Sequence, residues 1–287
     1  MGLCDIKEVT MSESVDVLAF GEVLWDVIDG VPHIGGAPFN FAAHAVKCGC
    51  SAALVSAVGN DDLGNRAREA VARQGVDGRL VRVHPTLPTG TVNVTLQNGI
   101  PSYEIVKPVA WDEIAIGERD ALPTPRAFYF GTLAQRSPVS ARTLEVLLDC
   151  VSDAFVFFDV NLRQSYWSAE LVEKGIGRSN VLKVNDEEMA QLNLNPNDLF
   201  ERHPRLEVVI ETRGAAGCAV WSRTGERVVS PAVPDGPVVD TVGAGDSFSA
   251  AFLSALLGGK TLEEAAVAGN VRAGRVAARA GGIPDGI

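Results

Sequence analysis

The stretch Asp240-Thr241-Val242-Gly243-Ala244-Gly245-Asp246-Ser247-Phe248 carries more chemical information than any other part of this chain. Its small residues let backbone N–H groups converge without obstruction, and Phe248, Ala251, Phe252 and Ala255 recur behind it at helical spacing. A helix start adds about half a positive charge, so the stretch predicts an anion-binding nest. A carboxylate inside an anion site is unfavourable unless it acts on something. Asp246 is suited to take a proton from an alcohol attacking a phosphoryl group. The same aspartate also fits a plain helix cap, and residue types alone leave both readings open.

Other segments carry weaker signals. Gly35-Gly36-Ala37-Pro38-Phe39-Asn40-Phe41-Ala42 opens a second helix, in which Phe39, Ala42, Ala43 and Val46 form one packed face. Asp26 reads as a strand-end turn residue or a ligand-binding carboxylate, and Asn40 as a helix-start residue or a ligand-binding amide. Asn185-Asp186-Glu187-Glu188 fits an acidic helix start, Thr212-Arg213-Gly214-Ala215-Ala216-Gly217 a hairpin turn, and Arg163 of Asp159-Val160-Asn161-Leu162-Arg163 a salt bridge or a mobile cation. Ser254 to Thr261 nearly spells a Walker A loop, but serine replaces its first glycine and a helix precedes it, so it reads as a helix-to-helix turn. Cys48-Gly49-Cys50 follows a buried helix and reads as core rather than redox chemistry.

These residues need a frame to hold them. Short apolar runs, most of them rich in β-branched residues, at Val15–Phe20, Ala53–Val58, Ala127–Phe130, Phe155–Val160, Val181–Val184 and Val208–Glu211 alternate with helical patterns. That alternation predicts βαβ units, a mostly parallel sheet and helices on both faces. Thr261 and Glu264 form a capping box for a last helix running toward Arg279. The period-two pattern of Thr91–Leu96, then Asn98-Gly99 and Tyr103–Val106, predicts a β-hairpin, with a turn longer than two residues because Pro101 follows. With the Gly21–Gly36 region it predicts a small separate sheet having a polar face.

The bulk numbers set bounds. A chain of 287 residues can bury a large core, and a formal net charge of -11 argues against sequence-independent nucleic-acid binding. Five scattered cysteines without zinc spacing fit a reducing compartment. No stretch reaches the roughly 18 uninterrupted apolar residues of a membrane helix, and residues 1–14 lack a secretory pattern. The expectation is a cytoplasmic chain, with residues 1–14 a disordered extension and 15–287 the folded domain.

The two glycine-rich strings, taken together, resemble the signatures of the PfkB (ribokinase-like) carbohydrate kinases: D-T-x-G-A-G-D-x-F over residues 240–248 and G-G-A-x-x-N-x-A over residues 35–42. The likeness extends from about Val15 to Ile287. It implies a ribokinase-like α/β three-layer sandwich with a small β-sheet lid built from parts of residues 22–37 and 88–108. It implies an ATP-dependent transfer of phosphate to a primary sugar hydroxyl, with Asp246 as base and Gly243, Ala244 and Gly245 completing the anion hole. Asp26, Gly35, Gly36 and Asn40 match positions that hold sugar hydroxyls, and Arg163 matches a cation near the phosphates. Asn185 with Thr212, Gly214, Gly217 and Asn270 match nucleotide-binding positions, and Glu188 one that meets Mg²⁺ through water. Asp240, Val242, Gly281 and Asp285 parallel a monovalent-cation (K⁺) site. Gly21–Asp26, Ala110-Trp111-Asp112 and Gly131–Arg136 look like bacterial fructokinases, so fructose leads ribose and 2-keto-3-deoxygluconate as the expected substrate, and Thr91–Val106 lacks the Lys or Arg that a phosphorylated sugar would call for. A sugar sensor without turnover is the reading from another class, and retention of Asp246 with its glycine loop speaks against it. Some members of the family pair through their lids, so a homodimer is the candidate assembly.

Overall fold

The computed structural model describes residues 11–97, 100–117 and 121–287. The first half runs β1 (Met11–Phe20), β2 (Leu24–Ile28), β3 (Val31–Gly35), α1 (Ala37–Lys47), β4 (Ala52–Gly59), α2 (Asp62–Arg73), β5 (Val81–His84), β6 (Gly90–Gln97) and β7 (Ile100–Ile105). The second runs β8 (Leu122–Gly131), α3 (Pro138–Cys150), β9 (Phe155–Asp159), α4 (Ala169–Gly177), β10 (Val181–Asn185), α5 (Asp186–Gln191), α6 (Pro196–Arg202), β11 (Val208–Thr212), β12 (Cys218–Ser222), β13 (Arg227–Ser230), α7 (Ala244–Leu257) and α8 (Leu262–Ala277).

Nine strands form the main sheet in the order β13-β12-β11-β10-β9-β8-β1-β4-β5. The pairs from β11 through β5 are parallel, and only β11–β12 and β12–β13 are antiparallel. A parallel sheet must be covered on both faces, and the core divides accordingly. Leu18 and Phe20 of β1 pack with Phe128, Phe130 and Phe158 on one side, while Val17 and Ala19 join Phe41, Tyr129 and Phe157 on the other. Phe41 stacks on Tyr129 with ring centroids 3.8 Å apart, which fixes α1 over the middle of the sheet. The carboxyl ends of the parallel strands lie along one edge, where α/β sheets bind ligands, and the chain changes direction between neighbours β1 and β8.

A second sheet has the order β3-β2-β6-β7, with β2–β6 parallel and the other two pairs antiparallel. Gln97 stands opposite Ile100, so only two residues link β6 to β7, fewer than the sequence suggests. Pro101 is tolerated because β7 is an edge strand; Asn98 and Gly99 lie outside the described residues. The base of this sheet is held by a buried ion pair. Arg136 donates from Nε and Nη2 to the Asp112 carboxylate at 2.7 and 2.9 Å, gives a further bond to the Val106 carbonyl, and stacks over Trp111. Side chains only 3% and 9% exposed cannot trade these bonds for water. Arg136→Met is therefore expected to lower the unfolding free energy by about 3–5 kcal/mol, read as a reduced urea midpoint, because it strands the Asp112 charge.

β1 begins earlier than the sequence suggests. Met11, Ser12 and Ser14 pair with Leu122, Pro123 and Thr124, so residues 11–14 belong to the sheet and not to a disordered extension. Their polar composition hides a strand that β8 stabilises from outside; residues 1–10 are outside the described range. α7 likewise starts at Ala244 rather than near Phe248, because Gly243, at φ 73°, turns the chain into the helix. The Thr261–Glu264 capping box opens α8, and residues 258–261 form the turn between α7 and α8. Among the described residues, no helix is long and apolar enough to cross a membrane.

Candidate active site

Gly243 builds the centre of the site. A Cβ there would lie 2.5 Å from the Gly282 oxygen, and the left-handed backbone already favours glycine. Ala244 N, the first of α7, donates back to the Thr241 carbonyl at 3.2 Å, while the N–H groups of Gly245 and Asp246 stand at the helix start, the arrangement that attracts anions. Asp246 sits in this first turn, half-buried, and its Oδ2 accepts a 2.8 Å hydrogen bond from Asn40 Nδ2. That bond joins positions 206 residues apart, one from each glycine-rich string. Burial and the nearby Asp159 push the Asp246 carboxyl up to about 6, although Asn40, Lys183 and Arg163 pull the other way.

Around Asp246 lie groups from several strand ends. Glu22, just past β1, is buried, and its carboxylate accepts from Ala37 N at the start of α1. Burial drives its carboxyl up to about 7, Asp246 adds to the rise, and Arg163 opposes it. Asp26 on β2 lies against Gly35, where a Cβ would meet its Oδ2 at 2.8 Å. Burial raises this carboxyl too, partly offset by Arg163 and His33. Arg163 is exposed and donates from Nη1 to the Leu162 carbonyl at 3.3 Å, and its positive charge opposes the rise of the Glu22, Asp26 and Asp246 carboxyls. The loop that carries it has two non-glycine residues in left-handed conformations, Asn161 at φ 45° and Gln164 at φ 49°. Such strain persists only where surrounding contacts enforce it. Glu188 is one of them.

The Glu188 carboxylate is buried and accepts from Leu162 N at 2.7 Å and from Asn185 N at 2.9 Å, tying the Arg163 loop to the start of α5. Thr212 ends β11, and residues 213–217 form the hairpin into β12, with Gly214 and Gly217 both at positive φ. Asp240 accepts from Val242 N and Gly281 N at 3.0 Å each, gathering three of the four candidate cation positions; Asp285 is exposed. Among the described residues no three acidic, histidine or cysteine side chains cluster as a metal site. Asn270, expected beside a nucleotide base, has its amide nitrogen committed within the fold. It is buried, and its Nδ2 donates to the Ser230 carbonyl and hydroxyl at 3.2 and 3.0 Å, so that nitrogen fastens α8 to β13. Asp112 and Arg136 likewise serve the frame of the small sheet.

Sequence reasoning missed Lys183. It lies on β10, 6% exposed, and donates from Nζ to Asp159 Oδ1 at 3.0 Å. Asp159 Oδ2 accepts from Ser249 at 3.1 Å and Tyr129 at 3.3 Å. The ammonium stands 3.2 Å from where a Cβ on Gly245 would be, directly behind the helix start. Burial opposes its charge, but Asp159, Glu188 and Asp246 more than compensate and hold it protonated.

A small-residue turn at a helix start, a raised carboxyl and converging cations form an arrangement suited to phosphoryl transfer. The family model for pfkB family carbohydrate kinases matches residues 3–285. The chain belongs to the pfkB family of carbohydrate kinases. It is accordingly a phosphotransferase that acts on a sugar. An uncharacterized sugar kinase of Pyrococcus horikoshii is 29% identical over 240 residues, covering 80% of this chain and 76% of its own. Its crystal structure superposes with TM-score 0.80 at 25% identity over 93% of each chain. Fructokinase-2 of Solanum lycopersicum is 26% identical over 284 residues, covering 88% of this chain and 85% of its own. A double mutant of fructokinase from Vibrio cholerae O395, in fructose, ADP and potassium ion bound form, superposes with TM-score 0.82 at 21% identity over 95% of each chain, a likeness of fold. The pfkB fold seen here is ribokinase-like, a large mostly parallel sheet with a small second sheet beside it.

Proposed function

We propose that this pfkB kinase transfers the γ-phosphate of ATP to a primary hydroxyl of a small unphosphorylated sugar, with fructose first among the acceptors. The observation that carries the reading is the 2.8 Å bond between Asn40 and Asp246, which brings an amide suited to sugar hydroxyls against a carboxylate suited to deprotonating one. Asp246 takes the proton of the attacking hydroxyl. The N–H groups of Gly243, Gly245 and Asp246 receive the charge that develops on the transferring phosphoryl group, while Ala244 N, bonded to the Thr241 carbonyl at 3.2 Å, holds the turn in shape. Asp26, Gly35, Gly36 and Asn40 grip the remaining hydroxyls, since a carboxylate and an amide can accept and donate to neighbouring oxygens. Arg163 and Lys183 supply cationic charge that an acidic chain must provide locally. Asn185, Thr212, Gly214 and Gly217 flank the nucleotide along the carboxyl ends of β10 and β11.

With no dedicated acidic cluster among the described residues, Mg²⁺ would come with the nucleotide and keep most of its own waters, one of which Glu188 could order. Bound there it would neutralise charge between the phosphates. Asp240, Val242, Gly281 and Asp285 would hold K⁺ behind the anion hole. The small sheet would act as a lid that excludes water while the hydroxyl competes for the phosphoryl group.

Fructose is favoured by the fructokinases among the relatives and by the absence of Lys and Arg from residues 91–106. A coupled ADP-release assay over fructose, ribose, 2-keto-3-deoxygluconate and adenosine is expected to give its highest kcat/KM with fructose. A higher value with ribose or ketodeoxygluconate overturns that choice, and turnover with none of them overturns the catalytic reading of Asp246.

The pH profile follows from the same carboxyl. Protonated Asp246 cannot accept a proton, so kcat/KM should rise with pH through the range of about 6 to 7 and level off above it. Glu22 and Asp246 interact, so the limb belongs to the pair rather than to either residue. Initial rates between pH 5 and 8.5, with the coupling enzymes in excess, would read it; a flat profile would count against Asp246 as base.

A further inference from the structure

His44 lies on α1 one turn past Asn40, so the two share a helix face. It is fully buried. Its Nε2 is 2.8 Å from the Gly282 carbonyl oxygen, and its Nδ1 is 3.3 Å from Nε of Arg272 on α8. A guanidinium only donates, so Nδ1 must be the acceptor; Nε2 therefore carries the ring hydrogen and donates to Gly282. Burial above all, and then the positive charges of Arg272 and Lys47, favour this neutral form against the opposing pull of the Gly282 bond.

Gly282 is packed from two sides. A Cβ on Gly243 would meet its oxygen, Cα and carbonyl carbon at 2.5, 2.6 and 2.9 Å, and a Cβ on Gly282 itself would meet Asn40 Nδ2 at 3.0 Å. Any shift of Gly282 is thus passed to the residue that turns the chain into α7 and to the amide that holds Asp246.

We propose that His44, locked by Arg272 as the Nε2–H tautomer, is a positioning residue that pins Gly282 against Gly243 and Asn40 and thereby fixes the phosphate cradle relative to the Asn40–Asp246 pair. This role presupposes that Asp246 is the base. It differs from a packing role in what a shape-conserving substitution does. His44→Phe keeps the ring and removes both hydrogen bonds, and kcat for sugar phosphorylation is expected to fall about 30-fold, with the sugar KM changed less than about threefold, since small misplacements of reacting groups act on the transition state. His44→Gln can donate to Gly282 again and should recover kcat to within about fivefold of the native enzyme. Independently of activity, ¹⁵N-histidine NMR at pH 7 should show a residue-44 ring with Nδ1 unprotonated and Nε2 protonated, and Arg272→Met should release that preference.

The idea is overturned if folded His44→Phe keeps native kcat, if His44→Gln is as impaired as His44→Phe, or if the native ring carries its hydrogen on Nδ1. A native enzyme that phosphorylates no sugar would defeat the catalytic reading, while the NMR experiment would still decide the tautomer lock. Should His44→Phe fail to fold, His44→Gln and the NMR measurement decide.

Discussion

Asp246→Asn should reduce kcat by about a thousandfold while leaving ATP binding and the sugar KM within a few-fold, because the amide keeps the shape and loses the proton acceptor. Steady-state kinetics with fructose, together with nucleotide titration by intrinsic fluorescence, would separate these quantities. The same substitution should also stabilise the fold at neutral pH. A carboxyl raised from 3.8 to about 6 favours folding below its unfolded value, and that contribution is lost as pH rises through 6. At pH 7 the ionised group is therefore held at a cost of about 1–3 kcal/mol, which asparagine removes. Inactivity combined with a higher Tm at pH 7, with the gain shrinking toward pH 4, is the outcome expected of a working base. A helix cap predicts the reverse, namely lower stability with activity retained.

How far the sequence carries the reader depends on where each signal resides. Gly243–Asp246 is legible because its chemistry is local: small residues, a carboxylate and a helical period follow one another in one short stretch. The meeting of Asn40 with Asp246 has no local signal, since 206 residues intervene, and only the likeness to known kinases foretells it. The parallel strands other than β5 declare themselves as apolar, β-branched runs, whereas β5, β12 and β13 do not: β5 and β13 are four residues each with exposed positions, and Cys218–Ser222 of β12 holds a single β-branched residue. Residues 11–14 fail for a related reason, as their pairing with β8 lies outside any local propensity. Asn270 enters the site only by positional transfer. A polar residue at the expected point of a helix can still turn inward, and here its amide nitrogen is occupied by Ser230. Asp112 and Arg136 belong to strings that resemble fructokinases, yet their side chains hold the frame of the small sheet. Their presence bears on which relatives share that frame more directly than on which sugar is bound.

Lys183 was readable in principle. A single cation in Val181-Leu182-Lys183-Val184, a run that must be buried on both faces of a parallel sheet, requires an anion on a neighbouring strand, and Asp159 ends β9 directly opposite it. Lys183→Met is expected to lower kcat about a hundredfold, since it removes a fixed positive charge from behind the helix start that receives the phosphoryl group. It should also move the acidic limb of the pH profile upward: Lys183 holds the Asp246 carboxyl down, and Asp159, left without its partner, would push it further up. Breaking a buried pair should in addition destabilise the fold by about 3–5 kcal/mol, so the single variant alone cannot separate charge from structure. The double variant Asp159→Asn with Lys183→Met can, because it strands no charge. Its stability should return most of the way to native, while kcat stays low, since the cation is still missing. Asp159→Asn alone leaves the ammonium in place and should keep the greater part of kcat. If the double variant regained native kcat together with its stability, Lys183 would be a structural ion pair and the positive charge of the site would rest on Arg163 and the helix start.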